Sequence, residues 1–142
     1  MLVPPQPLVS ALIALQFVAF GWRINREITV GDAGRKTWLP LPDYLNIASL
    51  LAVTVSCVVL PLANRPCLRI ALTALSSGYV LIALHPINEA AHYRLFSKYG
   101  RSVYKAKARD YPWITDQEIV TVAISAICAA TAGWLAYAGF PK

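Results

Sequence analysis

The sequence predicts an all-α integral membrane protein: a four-transmembrane-helix bundle with an additional amphipathic helix at the cytoplasmic interface. Three observations predict it. Only 14% of the 142 residues are charged and 57% are hydrophobic, whereas soluble domains carry about 25% charged residues. The charges are segregated, with no Asp, Glu, Lys or Arg in 8–22, 44–64, 70–84 or 119–140. A spanning helix needs about 20 mostly apolar residues, so these runs suit four crossings of a single transmembrane domain covering 1–142. Lastly, Lys and Arg collect in alternate connectors, as they do in multi-pass proteins.

The first span covers about 5–22. Prolines in its first turn are compatible with a helix start, and Gly21-Trp22 marks its expected end. Its leader MLVPPQP lacks a positive region and no A-x-A-like site follows, so a retained helix is expected rather than a cleaved signal. The connector RINREITVGDAGRKTWLPLPD holds turn signals at Gly31-Asp32 and Gly34 and a proline pair at Pro40 and Pro42. Within it REITV suits a short strand or surface segment. Asp43 is placed to cap the second span, 43–63, in which Pro61 is a kink or a terminator.

The tight LANRPC turn makes the second and third spans antiparallel neighbours. The third span, 68–85, is expected to break at His85, because Pro86 cannot donate its amide and suits the first position of a new helix. That interfacial helix runs 86–100 and stops at Gly100. The fourth span, 118–140, is rich in small residues. Ala126 with Ala130, and Ala129 with Gly133, have the spacing that lets helices approach closely in lipid, so this face is expected to pack against a sibling helix or another protomer.

Orientation follows from the basic residues. Arg23, Arg26, Arg35 and Lys36 with Arg94, Lys98, Arg101, Lys105, Lys107 and Arg109 lie on one side, against Arg65, Arg69 and Lys142 on the other. The richer side is expected to be cytoplasmic and both termini outside. The net charge of +6 is then a matter of topology and anionic headgroups, with Arg94, Lys98 and Arg101 the lipid-facing set, and nucleic acid is not an expected partner. Cys57 and Cys128 fall in spans and Cys67 in a turn, which forms neither a disulfide framework nor a zinc motif.

Chemistry is concentrated in HPINEAAHY, 85–93. At 100° per residue His85, Glu89, His92, Phe96 and Val103 share one face, edged by Tyr93, Leu95 and Tyr99, while Arg94, Lys98 and Arg101 lie opposite. The histidines and the glutamate thus side with the aromatics. Glu89 and His92, three apart, suit a mutual hydrogen bond with His85 at the elbow, or a polar ligand site at the cytoplasmic mouth. An E-x-x-H pair is also a metal-ligand spacing, but di-iron bundles need further carboxylates from other helices. The spans show no ionisable residue to supply them, so no metal is expected, and no cofactor is indicated.

The stretch EAAHYRLFSKYGRSVYKAKARDYPWI, 89–114, resembles the tail of membrane methyltransferases of the isoprenylcysteine and phospholipid type. Glu89 matches an acidic position, Tyr99-Gly100 the aromatic-glycine step, Tyr104 a tyrosine, and Pro112 with Ile114 the close. The resemblance implies a cytoplasmic site for S-adenosylmethionine. It covers 26 residues, and the family's Arg-His-Pro-x-Tyr element is absent. The ligand-binding candidates are therefore His85, Glu89, His92, Tyr99 and Tyr104. The leading expectation is a small membrane protein acting through helix–helix association, as a homo-oligomer or an accessory subunit. The alternative is a membrane-embedded enzyme or binding protein with a cytoplasm-facing polar site.

Overall fold

A computed structural model describes residues 4–32, 37, 39–97 and 114–139. Among these, four helices are long and apolar enough to cross a bilayer: α1 (Gln6–Asp32), α2 (Leu41–Leu62), α3 (Leu68–His92) and α4 (Asp116–Ala138). No strand occurs among the described residues. The helices are packed side by side, with α3 central: it contacts α1, α2 and, most extensively, α4.

Three boundaries differ from those the sequence suggests. First, α1 does not stop at Gly21-Trp22 but runs ten residues further through REITV, because Arg23 finds carboxylates inside the bundle. Second, α3 does not break at His85. It passes through Pro86 and ends at His92, so 86–92 belongs to the third helix rather than to a separate interfacial one. An interior proline costs about 3 kcal/mol. Here its ring lies on the exposed face, and the turn beyond it is tied to α4. Asn88 and Ser125 exchange reciprocal hydrogen bonds of 3.0 and 3.1 Å, and Thr115 Oγ1 donates to the Ala91 carbonyl at 3.0 Å. Third, Asp43 is not a cap. Pro40 holds the cap position of α2 and Asp43 lies buried in its first turn.

The end of α3 is a left-handed stop. Arg94 has φ 53°, Leu95 N–H bonds back to Ala90 and Arg94 N–H to Ala91, both at 2.9 Å, the paired pattern of a Schellman motif. The terminator is thus Arg94, and Gly100 lies outside the described residues. Asn64 (φ 56°) closes α2 in the same way, with Arg65 bonding to Leu60. Within α2 a π-helical turn spans Val55–Val59, and Leu60 N–H reaches back five residues to Val55. Pro61 has no amide to bond Cys57, and its ring crowds that carbonyl; the wider turn relieves both.

Packing inverts the usual order of a soluble domain. The apolar core is small, comprising Val9, Leu12, Val53, Cys57, Ala71 and Leu75. Buried beside it are Gln16, Asn46, Ser49, Ser56, Asn88 and Ser125, while Phe17, Val18, Leu51, Ile127 and Leu135 are exposed. At most 28% of any apolar window is buried, so most of the apolar surface of the four helices faces outward. Gln16 Nε2 donates to Ser49 Oγ at 2.9 Å and Asn46 Nδ2 to the Gln16 carbonyl at 3.3 Å, which ties α1 to α2. Gly78 is where α1, α2 and α3 meet: a Cβ there would lie 2.7 Å from Leu12 Cδ2 and 3.0 Å from Ser49 Oγ.

The small-residue face of α4 divides in two. Ala129 and Gly133 are buried against α3, where Ser77 Oγ donates to the Ala129 carbonyl at 2.9 Å. A Cβ on Gly133 would strike Ser77 Oγ and come within 3.1 Å of Thr73. Ala126 and Ala130 remain exposed. Half of the predicted association seam is therefore used within the chain.

Candidate functional site

The helices alternate in direction, so the C-terminal ends of α1 and α3 share one end of the bundle with the N-terminal ends of α2 and α4. Each helix places an ionisable side chain inside that end: Arg23 from α1, Asp43 from α2, His85, Glu89 and His92 from α3, and Glu118 from α4, all buried. Spacings of four and three put His85, Glu89 and His92 on one face of α3, and that face points inward.

Arg23, 1% exposed, is the hub. Its Nε donates to Asp43 Oδ2 at 3.1 Å, Nη2 pairs with Glu27 one turn along at 3.1 Å, and Nη1 donates to the Tyr93 hydroxyl. Nη1 also lies 3.6 Å from Glu89 Oε2. Arg26 stands 4.4 Å above the Tyr93 ring and bonds Glu27 at 2.9 Å. Burial raises the Tyr93 phenol above its usual range while Arg23 opposes the shift. The group is therefore a neutral hydroxyl at pH 7. An arginine with its fork filled in this way can stay charged out of water.

Glu118 organises the other half. Thr115 caps α4 by accepting from Glu118 N–H at 3.0 Å, and the Glu118 carboxylate reaches back to Thr115 N–H at 3.3 Å, a complete capping box. The same carboxylate accepts from the α2 amide of Leu41 at 2.8 Å and pairs with His92 Nδ1 at 2.8 Å. One side chain thus caps two helices and holds the end of a third.

Between the two halves, three groups are left incompletely used. Asp43 Oδ1 and both oxygens of Glu89 are buried without a hydrogen bond. His85 Nε2 faces Asp43 Oδ1 at 3.8 Å, too far for a hydrogen bond. One ligand atom from each of Asp43, His85 and Glu89 lies within 4.8 Å of the others. Buried carboxylate oxygens are costly to leave unpaired, so this triangle is where a bound group would be held.

Of the residues singled out from sequence, His85, Glu89 and His92 come together here. His92 does not bond Glu89 as expected but Glu118. Tyr99, Tyr104, Lys98 and Arg101 lie outside the described residues. Arg94 pairs with Asp116 at 2.7 Å, and Phe96 is exposed. Arg23, Asp43 and Glu118 were not expected as site residues. Arg23 reads as a topology charge and Asp43 as a cap; the pairing that draws both inside joins residues twenty apart. The T-x-x-E of Thr115 and Glu118 is a legible capping box, though its reach to α2 and α3 is not. No family model, no curated protein and no solved structure matches the chain.

Proposed function

We propose that the chain is a multi-pass membrane protein whose working part is the ionisable cluster at the connector-rich end, a binding site for a small polar ligand. The observation that carries this reading is the Asp43–His85–Glu89 triangle: buried carboxylate oxygens without donors, at the ionisable end of a bundle whose exposed helix faces are apolar. Ionisable groups buried in membrane helices are expensive and mark function by default. The excess of Arg and Lys in the connectors at this end supports a cytoplasmic opening, with both termini outside and anionic headgroups at the rim. The local resemblance of 89–114 to membrane methyltransferases supports the same side and makes S-adenosylmethionine a ligand worth including.

Native mass spectrometry of the protein released from lipid nanodiscs, beside the Glu89→Gln variant, tests this. A non-lipid mass carried by the wild type and missing from the variant is expected. Identical spectra, with no melting shift for either protein across divalent cations and S-adenosylmethionine, would overturn it.

Association through α4 is a second reading, favoured by the exposed Ala126 and Ala130. It would make the chain a homo-oligomer or an accessory subunit, with the polar cluster serving to lock the bundle.

A further inference from the structure

We infer that the ligand of this site is a single first-row divalent metal ion, held by Asp43, His85 and Glu89; the inference rests on the ligand-site reading above. Donor chemistry comes first. Two carboxylates and an imidazole form an O,O,N set, which suits zinc, iron, cobalt or manganese rather than the all-oxygen shells of calcium and magnesium. Three protein ligands with an open fourth position is also the pattern of sites that bind or activate a further molecule.

Geometry is close to that needed. Tetrahedral ligands about 2.1 Å from zinc lie about 3.4 Å apart. The Asp43 Oδ1 to His85 Nε2 separation is 3.8 Å and the three ligand atoms lie within 4.8 Å of one another, so closing on an ion takes side-chain shifts of up to about an ångström. The three side chains come from two packed helices, not from a loop, and His85 and Glu89 are one helical turn apart. Side chains of His85 and Glu89 each retain 10% of their surface, which leaves an approach for an ion, whereas Asp43 is fully enclosed.

Orientation of the ligands is already supplied. Ligating carboxylates are characteristically fixed by an outer hydrogen bond. Asp43 gives Oδ2 to Arg23 and keeps Oδ1 free, and Glu89 lies against the same guanidinium through Oε2 while Oε1 is unbonded. Arg23 spends its remaining donors on Glu27 and Tyr93. The arginine therefore acts as an outer clamp on both carboxylates.

The test uses the full chain in nanodiscs, stripped with a chelator and titrated with Co²⁺, whose visible d–d bands report its ligands. One Co²⁺ per chain is expected, with bands that disappear and binding at least about tenfold weaker in His85→Gln. Cys67→Ser should leave both unchanged, which excludes the turn cysteine as the ligand. The His85 side chain makes no hydrogen bond among the described residues, so its replacement should leave the fold intact; Glu89→Gln, in which Asp43 still neutralises Arg23, is the second variant. Co²⁺ binding that is absent, or equal in wild type, His85→Gln and Glu89→Gln, would overturn the metal. If a non-lipid mass still depends on Glu89 in that case, the cluster remains a ligand site for another molecule; if none does, both readings fall.

Discussion

Replacing Glu118 with alanine should loosen three helices at once. Its carboxylate, fully buried, accepts from Leu41 N–H at 2.8 Å, from His92 Nδ1 at 2.8 Å and from Thr115 N–H at 3.3 Å. Alanine strands all three donors. A hydrogen bond to a charged group contributes about 1.5–3 kcal/mol, but the longest of these is weak and the variant is relieved of burying a carboxylate. Breaking a buried pair by deleting one partner costs about 3–5 kcal/mol, and the lower end of that range, about 3 kcal/mol, is expected here. Glu118→Gln separates charge from shape. Its carbonyl can keep Leu41, and His92 can present its unprotonated nitrogen to the new amide. Only Thr115 N–H is then left facing a donor, for about 1 kcal/mol. Reversible unfolding by dodecyl sulfate in mixed micelles, followed by tryptophan fluorescence, measures both. If alanine and glutamine variants both unfold within about 0.5 kcal/mol of wild type, Glu118 is not the joint described, and the register of α2 against α4 must be held by something else.

Two further outcomes follow from packing. Gly133→Leu should destabilise the bundle by about 1–3 kcal/mol or more through overpacking against Ser77 and Thr73, whereas Ala130→Leu, on the exposed side, should leave stability unchanged; if Ala130→Leu dissociates an oligomer seen by light scattering in detergent, the association reading gains its surface. Pro86→Ala restores an amide to a continuous helix at an exposed position, so the unfolding free energy should rise, by up to about 3 kcal/mol, and a fall would show that the proline shapes this end of the bundle.

What could be read from the sequence was what depends on local composition. Four charge-free runs locate four helices, and the paired T-x-x-E before an apolar run locates the start of α4. The helical period puts His85, Glu89 and His92 on one face. What could not be read was set by partners far along the chain. Gly21-Trp22 looks like the end of a span because charged residues follow it; Asp43, twenty residues away, lets Arg23 stay buried in the continuing helix. Pro86 looks like a break because local sequence offers nothing to offset a lost helical bond; Asn88–Ser125 and Thr115–Ala91 offer it across the bundle. The same blindness removed Asp43 and Glu118 from the candidate site, since each reads as an ordinary residue at a helix start.

These long-range contacts also explain how apolar helices find one register. Lipid is as apolar as leucine, so burial of hydrocarbon does little to stop such helices sliding or rotating against one another. Polar contacts discriminate more strongly because a misplaced charge has no partner. Arg23 on α1 is neutralised through Asp43 on α2 and Glu89 on α3, and Glu118 on α4 joins His92 of α3 to the first amide of α2. A one-turn shift of any helix, about 5.4 Å, would separate at least one of these pairs. The cluster therefore selects the arrangement that builds it, and the triangle it leaves incompletely bonded is a consequence of that arrangement.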